Sequence, residues 1–208
     1  MKVSGIGSPL EFRVVHINGI ALHVVLAGPA NGKPLVFLHG FPEFWFAWRL
    51  QIDHFVSSGY RVIIPDQRGY NLSAKPGGIA SYSIDLLARD VVGVLDTVAD
   101  SKAFVVGHDW GAAVTWYLAA RYSERISPTA MLSVPNPRIF IKNLIMNPAQ
   151  LRRSWYIFFF SFLGYPNASC EGETGRCWFG CCRILHLLVS FLIPISSSIK
   201  SRGPRRVR

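Results

Sequence analysis

Two patterns of hydrophobic and polar positions follow each other along the first 135 residues. Short alternating or fully apolar stretches predict strands, and stretches with apolar residues three and four positions apart predict helices. The predicted strands are 12–17, 21–26, 35–38, 61–64, 103–106 and 126–134. The predicted helices are 45–57, 83–98 and 112–122, and a further aromatic-rich helical segment spans 150–160. This succession is typical of a mostly parallel sheet with helices on both faces.

Turn signals separate these segments. Asn18-Gly19 joins the first two predicted strands, and this dipeptide strongly favours a tight hairpin. The run at 35–38 is apolar throughout, which indicates a strand buried on both faces of the sheet.

Composition allows one well-buried domain, since half of the 208 residues are hydrophobic. The formal net charge is +10, but residues 161–208 contain seven Lys and Arg against two acids, so half of the excess lies in that tail. No nucleic-acid-binding motif accompanies the charge. We therefore expect no nucleic-acid partner.

The cysteines are confined to the tail, and none occurs in the first 169 residues. Such a distribution does not indicate a secreted disulfide framework, and the spacing lacks the paired knuckles of a zinc site. The N-terminus also lacks the apolar core of a signal peptide. We expect a cytoplasmic protein with free thiols, no metal and no other cofactor. The cysteines are Cys170, Cys177, Cys181 and Cys182.

The strongest chemical motif is the sequence GHDWG at 107–111, between a predicted buried strand and a helix of small residues. In a nucleophile elbow, strained backbone angles push the central side chain into the site, and the flanking glycines avoid clashes. The alternative is that Asp109 only caps the helix, because Asp is a favoured N-cap. The strand–turn–helix context favours the elbow. A carboxylate nucleophile suits attack at an sp³ carbon, which predicts an epoxide or a carbon–halogen bond as the target.

A second motif, HGFPE at 39–43, directly follows a predicted buried strand. A turn here would aim the backbone N–H of Phe41 at the nucleophile, and the N–H of Trp110 would complete an oxyanion hole. We also predict that His39, Pro42 and Trp110 contact the substrate. The alternative is an ordinary Gly-Pro turn.

These motifs resemble those of the epoxide hydrolases of the α/β-hydrolase fold, a family related to haloalkane and haloacetate dehalogenases. The resemblance covers about residues 10–160 and implies a doubly wound, mostly parallel sheet and a small-molecule epoxide substrate. The matching stretches are 39–43 with Trp45 and Trp48, 65–70 with Ser73 and Pro76, and 107–112.

A dehalogenase on the same scaffold is the alternative within this resemblance, with an alkyl halide as substrate. Haloacetate dehalogenases typically carry Arg after the nucleophile, where this chain has Trp110. Haloalkane dehalogenases share the Asp-Trp pair but usually have Asn after His-Gly, where this chain has Phe41. Epoxide hydrolase is the better match.

The resemblance also implies an acid on the first helix of a cap domain. The family has a tyrosine there in a pattern close to Y-x-x-x-F-Q, and YIFFF at 156–160 fits its beginning. We assign to Tyr156 the protonation of the leaving alkoxide; the alternative is an aromatic residue packed in an apolar helix. The predicted domains are an α/β-hydrolase core at 1–135, the start of the cap at 136–160, and an atypical tail at 161–208.

The family pattern stops after residue 160, before the strands that would carry an acid and the catalytic histidine. Beyond the elbow this chain has only His186, inside an apolar run, and beyond residue 124 its only acids are Glu171 and Glu173. We therefore expect that the C-terminal strands and most of the cap are missing. A frameshift, a mis-spliced exon or a mis-called gene end would account for residues 161–208.

The consequence is a nucleophile without a general base to activate water against the ester. We predict at most one covalent event per chain unless His186 acts as the base. A third hypothesis is that the protein is not an enzyme but a non-catalytic fragment. In that case the tail would bind partners, or would lie on a membrane surface through the apolar run at 184–195 and its flanking arginines.

Overall fold

Six strands form one sheet in the computed structural model, which describes residues 5–99 and 101–155. In chain order they are β1 (Leu10–Ile17), β2 (Ile20–Ala27), β3 (Lys33–Leu38), β4 (Tyr60–Pro65), β5 (Ala103–His108) and β6 (Ile126–Leu132). Their order across the sheet is β1-β2-β4-β3-β5-β6. β2 pairs antiparallel with β1 and β4, whereas β4, β3, β5 and β6 run parallel. The predicted mostly parallel sheet is confirmed.

Five α-helices accompany the sheet within the described residues. They are α1 (Arg49–Ser57), α2 (Ile84–Val98), α3 (Trp110–Arg121), α4 (Pro137–Met146) and α5 (Pro148–Arg153). A 3₁₀ turn at Trp45–Trp48 precedes α1, so the segment predicted as one helix at 45–57 consists of two parts. None of these helices is long and apolar enough to cross a bilayer.

The hairpin between β1 and β2 has the predicted turn. Asn18 and Gly19 both have positive φ, at 48° and 74°, which is the backbone shape of a type I′ turn. Ile17 pairs with Ile20 directly across it. The two-residue turn is consistent with the observed register of β1 against β2.

The sheet is buried on both faces, as predicted for a doubly wound fold. Along β3, Val36 and Leu38 pack into the core on the side of α2 and α3, and Leu35 and Phe37 pack on the side of α1. Full burial of such a side chain stabilises the fold by about 1.5–3 kcal/mol. β3 is thus firmly fixed at the centre of the sheet.

The segment after β6 differs from the prediction. α4 was not predicted, and α5 overlaps the helix predicted at 150–160, of which residues 156–160 lie outside the described residues. Ile139, Ile145 and Met146 of α4 are exposed, so these positions do not mark a buried face. Within residues 5–99 and 101–155, no strand pairs with the outer side of β6. The exposed apolar residues of this region are Leu132, Ile139, Ile145, Met146, Leu151 and Trp155.

Candidate active site

Two loops and one sharp bend meet where the parallel strands β3, β4 and β5 end. Because the carboxyl ends of parallel strands share one edge of a sheet, the segments that follow them lie close together, and such edges are the usual ligand sites of open α/β sheets. We call residues 39–44 the β3 loop and residues 66–74 the β4 loop. The bend after β5 is the predicted elbow.

Asp109 is the only residue between β5 and α3, and it has φ 52° and ψ −116°. A non-glycine residue in this region is strained by about 1–3 kcal/mol. Its side chain makes no capping hydrogen bond to α3. Instead, Oδ1 accepts a hydrogen bond of 3.1 Å from the backbone N–H of Phe41. The carboxylate therefore points at the β3 loop and not at its own helix.

Two glycines permit this approach of backbone and side chain. A Cβ atom on Gly40 would lie 2.6 Å from Cβ of Asp109. A Cβ atom on Gly111 would lie 2.2 Å from the carbonyl oxygen of Leu38, at the end of β3. Real Cβ contacts do not come so close, so any larger residue would push the loop and the elbow apart.

Trp110 is the first residue of α3. Backbone N–H groups in the first turn of a helix have no partner within the helix, and the helix dipole makes this end partly positive. The side chain of Trp110 is half-buried and packs against the core. The Phe41 N–H contacts the Asp109 carboxylate, and the Trp110 N–H belongs to the residue that directly follows Asp109.

His39 is fully buried, and both of its ring nitrogens have partners in the chain. Nε2 accepts the backbone N–H of Gln67 at 3.0 Å, so Nδ1 carries the proton and donates to the carbonyl oxygen of Gly40 at 2.9 Å. Burial lowers the pKa of His39 below 6.5, which keeps the ring neutral. Pro42, in contrast, is exposed and follows a cis peptide bond.

Sequence reasoning missed the roles of Asp66 and Gln67, which begin the β4 loop. The Gln67 side chain donates from Nε2 to the carbonyl oxygen of His39 at 2.6 Å, and Oδ1 of Asp66 accepts the N–H of Trp45 at 2.8 Å. A signal was present, since both residues directly follow a buried strand that neighbours β3. The pairing itself depends on the strand order, which the motif alone does not reveal.

A second missed pair connects the β3 loop with the elbow. Oε2 of Glu43 accepts the N–H of Gly40 at 3.0 Å and lies 3.3 Å from Nδ1 of His108, the residue before Asp109. Both side chains are about one third exposed, so solvent weakens their attraction. Glu43 and His108 thus connect the β3 loop with the elbow.

Tyr156 and His186 lie outside the described residues, and so does the tail at 161–208. Among residues 5–99 and 101–155, no group of three or more His, Cys, Asp or Glu side chains is placed to hold a metal ion.

A family model described as alpha/beta hydrolase fold matches residues 33–168, more than half of the chain. The chain belongs to the α/β-hydrolase fold family. The match includes the β3 loop, the β4 loop and the elbow of this α/β hydrolase.

Similar proteins include many epoxide hydrolases. The chain is 48% identical over 160 residues to the AB hydrolase superfamily protein YfhM of Bacillus subtilis, covering 77% of this chain and 56% of that protein. It is 40% identical over 177 residues to epoxide hydrolase A of Mycobacterium tuberculosis, covering 82% and 53%. A crystal structure of Bacillus megaterium epoxide hydrolase with an inhibitor matches with a TM-score of 0.68 and 37% identity, over 76% of this chain and 55% of that one. The chain therefore spans about half the length of these relatives.

Proposed function

We propose that this α/β hydrolase carries the nucleophile part of an epoxide hydrolase and that Asp109 attacks an epoxide carbon. The observation that supports this most directly is the hydrogen bond from the Phe41 N–H to Oδ1 of Asp109. A carboxylate held by one oxygen has a fixed orientation, and fixed orientation of a nucleophile accounts for much of an enzyme's rate. The names of the relatives support the same substrate class.

In the first step an Asp109 oxygen forms a bond to the epoxide carbon, and the carbon–oxygen bond of the ring breaks. The leaving alkoxide takes a proton, which we assign to the hydroxyl of Tyr156. The product of this step is a hydroxyalkyl ester of Asp109. The substrate is a small molecule, and no step requires a cofactor.

In the second step water attacks the ester carbonyl, and the negative charge develops on its oxygen. The N–H groups of Phe41 and Trp110 would stabilise this oxyanion, and its collapse would release the diol and the free carboxylate. Water needs a base, and His186 is the only histidine after the elbow within these 208 residues. Without a base in reach, the reaction would stop at the ester.

His39, Pro42 and Trp110 are the residues predicted to contact the substrate. We propose that His39 supports the β3 loop and does not contact the substrate, because its ring is buried and both nitrogens are engaged. Exposed Pro42 and half-buried Trp110 keep their predicted substrate contacts. The division into core, cap start and tail at 135 and 160, and the cytoplasmic location, remain predictions.

Intact-mass spectrometry of the 208-residue chain after incubation with styrene oxide tests the proposal. We expect the wild type to gain one adduct more than the Asp109→Asn variant, since thiol modification is common to both. Equal modification of the two proteins contradicts the proposal. Sustained diol formation by the wild type would show that a base is present. A parallel incubation with a bromoalkane, with bromide release measured, tests the dehalogenase alternative.

A further inference from the structure

His39, which begins the β3 loop, and Trp45, which directly follows its end, are hydrogen-bonded to two consecutive residues of the β4 loop. At the first end, Gln67 donates to His39 twice, from its backbone N–H to Nε2 and from its side chain to the carbonyl oxygen. At the second end, Asp66 accepts the N–H of Trp45. His39 and Asp66 are fully buried, and Gln67 is 7% exposed, so water does not replace these bonds easily.

Inside the β3 loop, Nδ1 of His39 donates to the carbonyl oxygen of Gly40 at 2.9 Å, and two further bonds join Gly40 and Glu43, of which the one to the Glu43 carboxylate is only partly buried. The Glu43 N–H donates to the carbonyl oxygen of Gly40 at 3.1 Å, and the Glu43 carboxylate accepts the N–H of Gly40. None of these three bonds involves Phe41. The position of the Phe41 N–H therefore depends chiefly on where the two ends of the loop are held.

The β4 loop is itself hydrogen-bonded to the rest of the domain. Oδ2 of Asp66 accepts hydrogen bonds of 2.7 Å from His23, on β2, and from Asn71, in the same loop. Behind Gln67, the buried guanidinium of Arg68 makes two hydrogen bonds of 2.7 and 2.8 Å to Asp90 on α2. The loop is thus attached to the sheet on one side and to a helix on the other.

We propose that Asp66 and Gln67 are positioning residues that fix the Phe41 N–H against Asp109. We call Asp66 and Gln67 the clamp. This inference rests on the proposed role of Asp109 as nucleophile, because the clamp would act by keeping the Asp109 carboxylate in its orientation. It assigns a function to the start of the β4 loop that goes beyond the reaction chemistry.

Gln67→Met tests the inference, because Met keeps the shape of the side chain and removes its donor. Asp66→Asn is the second variant. The Asn side chain has the same size, but its NH₂ group would face one of the N–H donors whose hydrogen bonds Asp66 accepts, those of Trp45, His23 and Asn71. Val94→Ala, in the buried core on α2, is the control for general destabilisation. Two quantities are measured in the full chain: hydrogen exchange of the amides at 39–45, and the rate of Asp109 modification over a range of styrene oxide concentrations.

We expect both clamp variants to speed amide exchange at 39–45 and to lower the maximal modification rate about tenfold to a hundredfold. The styrene oxide concentration at half-maximal rate should stay within about twofold, since misplacement of a group weakens the reaction and not the binding. Val94→Ala should leave both quantities at the wild-type value once compared at equal fraction folded.

Unchanged exchange at 39–45 in both variants would overturn the inference. So would a modification rate that follows global stability in the same way in all three variants. If the wild type itself is not modified at Asp109, the proposed function fails, and the exchange measurement still decides whether the clamp holds the loop.

Discussion

The backbone N–H of Phe41 donates a 3.1 Å hydrogen bond to Oδ1 of Asp109, although 68 positions separate the two residues in the chain. The strand order makes this contact possible, because β3 and β5 are parallel neighbours and the two residues follow their carboxyl ends. A residue at a strand-to-helix bend is thereby joined to a loop from the neighbouring strand. Because of this contact, the Asp109 side chain faces the β3 loop and does not cap α3.

Gly40→Ala should disturb this contact directly. The new Cβ atom would lie 2.6 Å from Cβ of Asp109, so either the loop or the elbow must move. We expect a loss of about 1–3 kcal/mol in the free energy of unfolding, measured with urea, and at least about a tenfold slower modification of Asp109. Gly77→Ala is the matched control, because nothing lies within 4 Å of a Cβ there. Equal stability of the two variants would contradict the described packing.

The strain at Asp109 predicts a difference between two substitutions that both remove the carboxylate. Alanine at φ 52° keeps the cost of left-handed backbone, whereas glycine does not. We expect Asp109→Gly to be more stable than Asp109→Ala by about 1 kcal/mol, as measured by thermal or urea unfolding. If the alanine variant is the more stable of the two, the backbone at the elbow is not strained.

The elbow and the hairpin were predictable because their signals are local. A positive φ at Asn18 and Gly19, or a bend at Asp109 between a buried strand and a helix, follows from a few consecutive residues. The clamp formed by Asp66 and Gln67 was not predictable in the same way, since its partners lie 21 and 28 positions away. Their contacts depend on β4 lying beside β3, which only the assembled sheet determines.

The buried His39 predicts a dependence of stability on pH. Burial lowers its pKa in the folded state below 6.5, so between 6.5 and that lower value the unfolded chain binds one more proton than the folded chain. The free energy of unfolding should therefore fall as the pH falls below 6.5, with a slope of at most about 1.4 kcal/mol per pH unit. Urea unfolding between pH 7.5 and about 5 measures it.

Glu11 and Asp53 do not contribute to the pH dependence in the range of this measurement. Hydrogen bonds and nearby cations hold the pKa of Glu11 below 4.5, and hydrogen bonds hold that of Asp53 below 3.8, so both contribute only at lower pH. The exposed His16 provides the control. We expect His16→Gln to keep the slope and His39→Gln to remove it, and a slope that persists without His39 would disprove its assignment.

The ion pair of Arg68 and Asp90 predicts strong coupling between two substitutions. Both side chains are 4% exposed, so Arg68→Met leaves a buried carboxylate without its main partner. We expect this variant to lose about 3–5 kcal/mol in the free energy of unfolding. The double variant with Asp90→Leu should be more stable than Arg68→Met alone. Additive losses in urea unfolding would show that the pair is not coupled.

The central claim, that Asp109 is the nucleophile, is tested most directly by locating the covalent bond. Trypsin cleaves after Lys102 and Arg121, and Asp109 is the only acidic residue in the peptide 103–121. After incubation with styrene oxide, tandem mass spectrometry should find one hydroxyalkyl ester in this peptide, on Asp109, and none there in Asp109→Asn. An unmodified 103–121 peptide, or an adduct on His108 alone, would contradict the account.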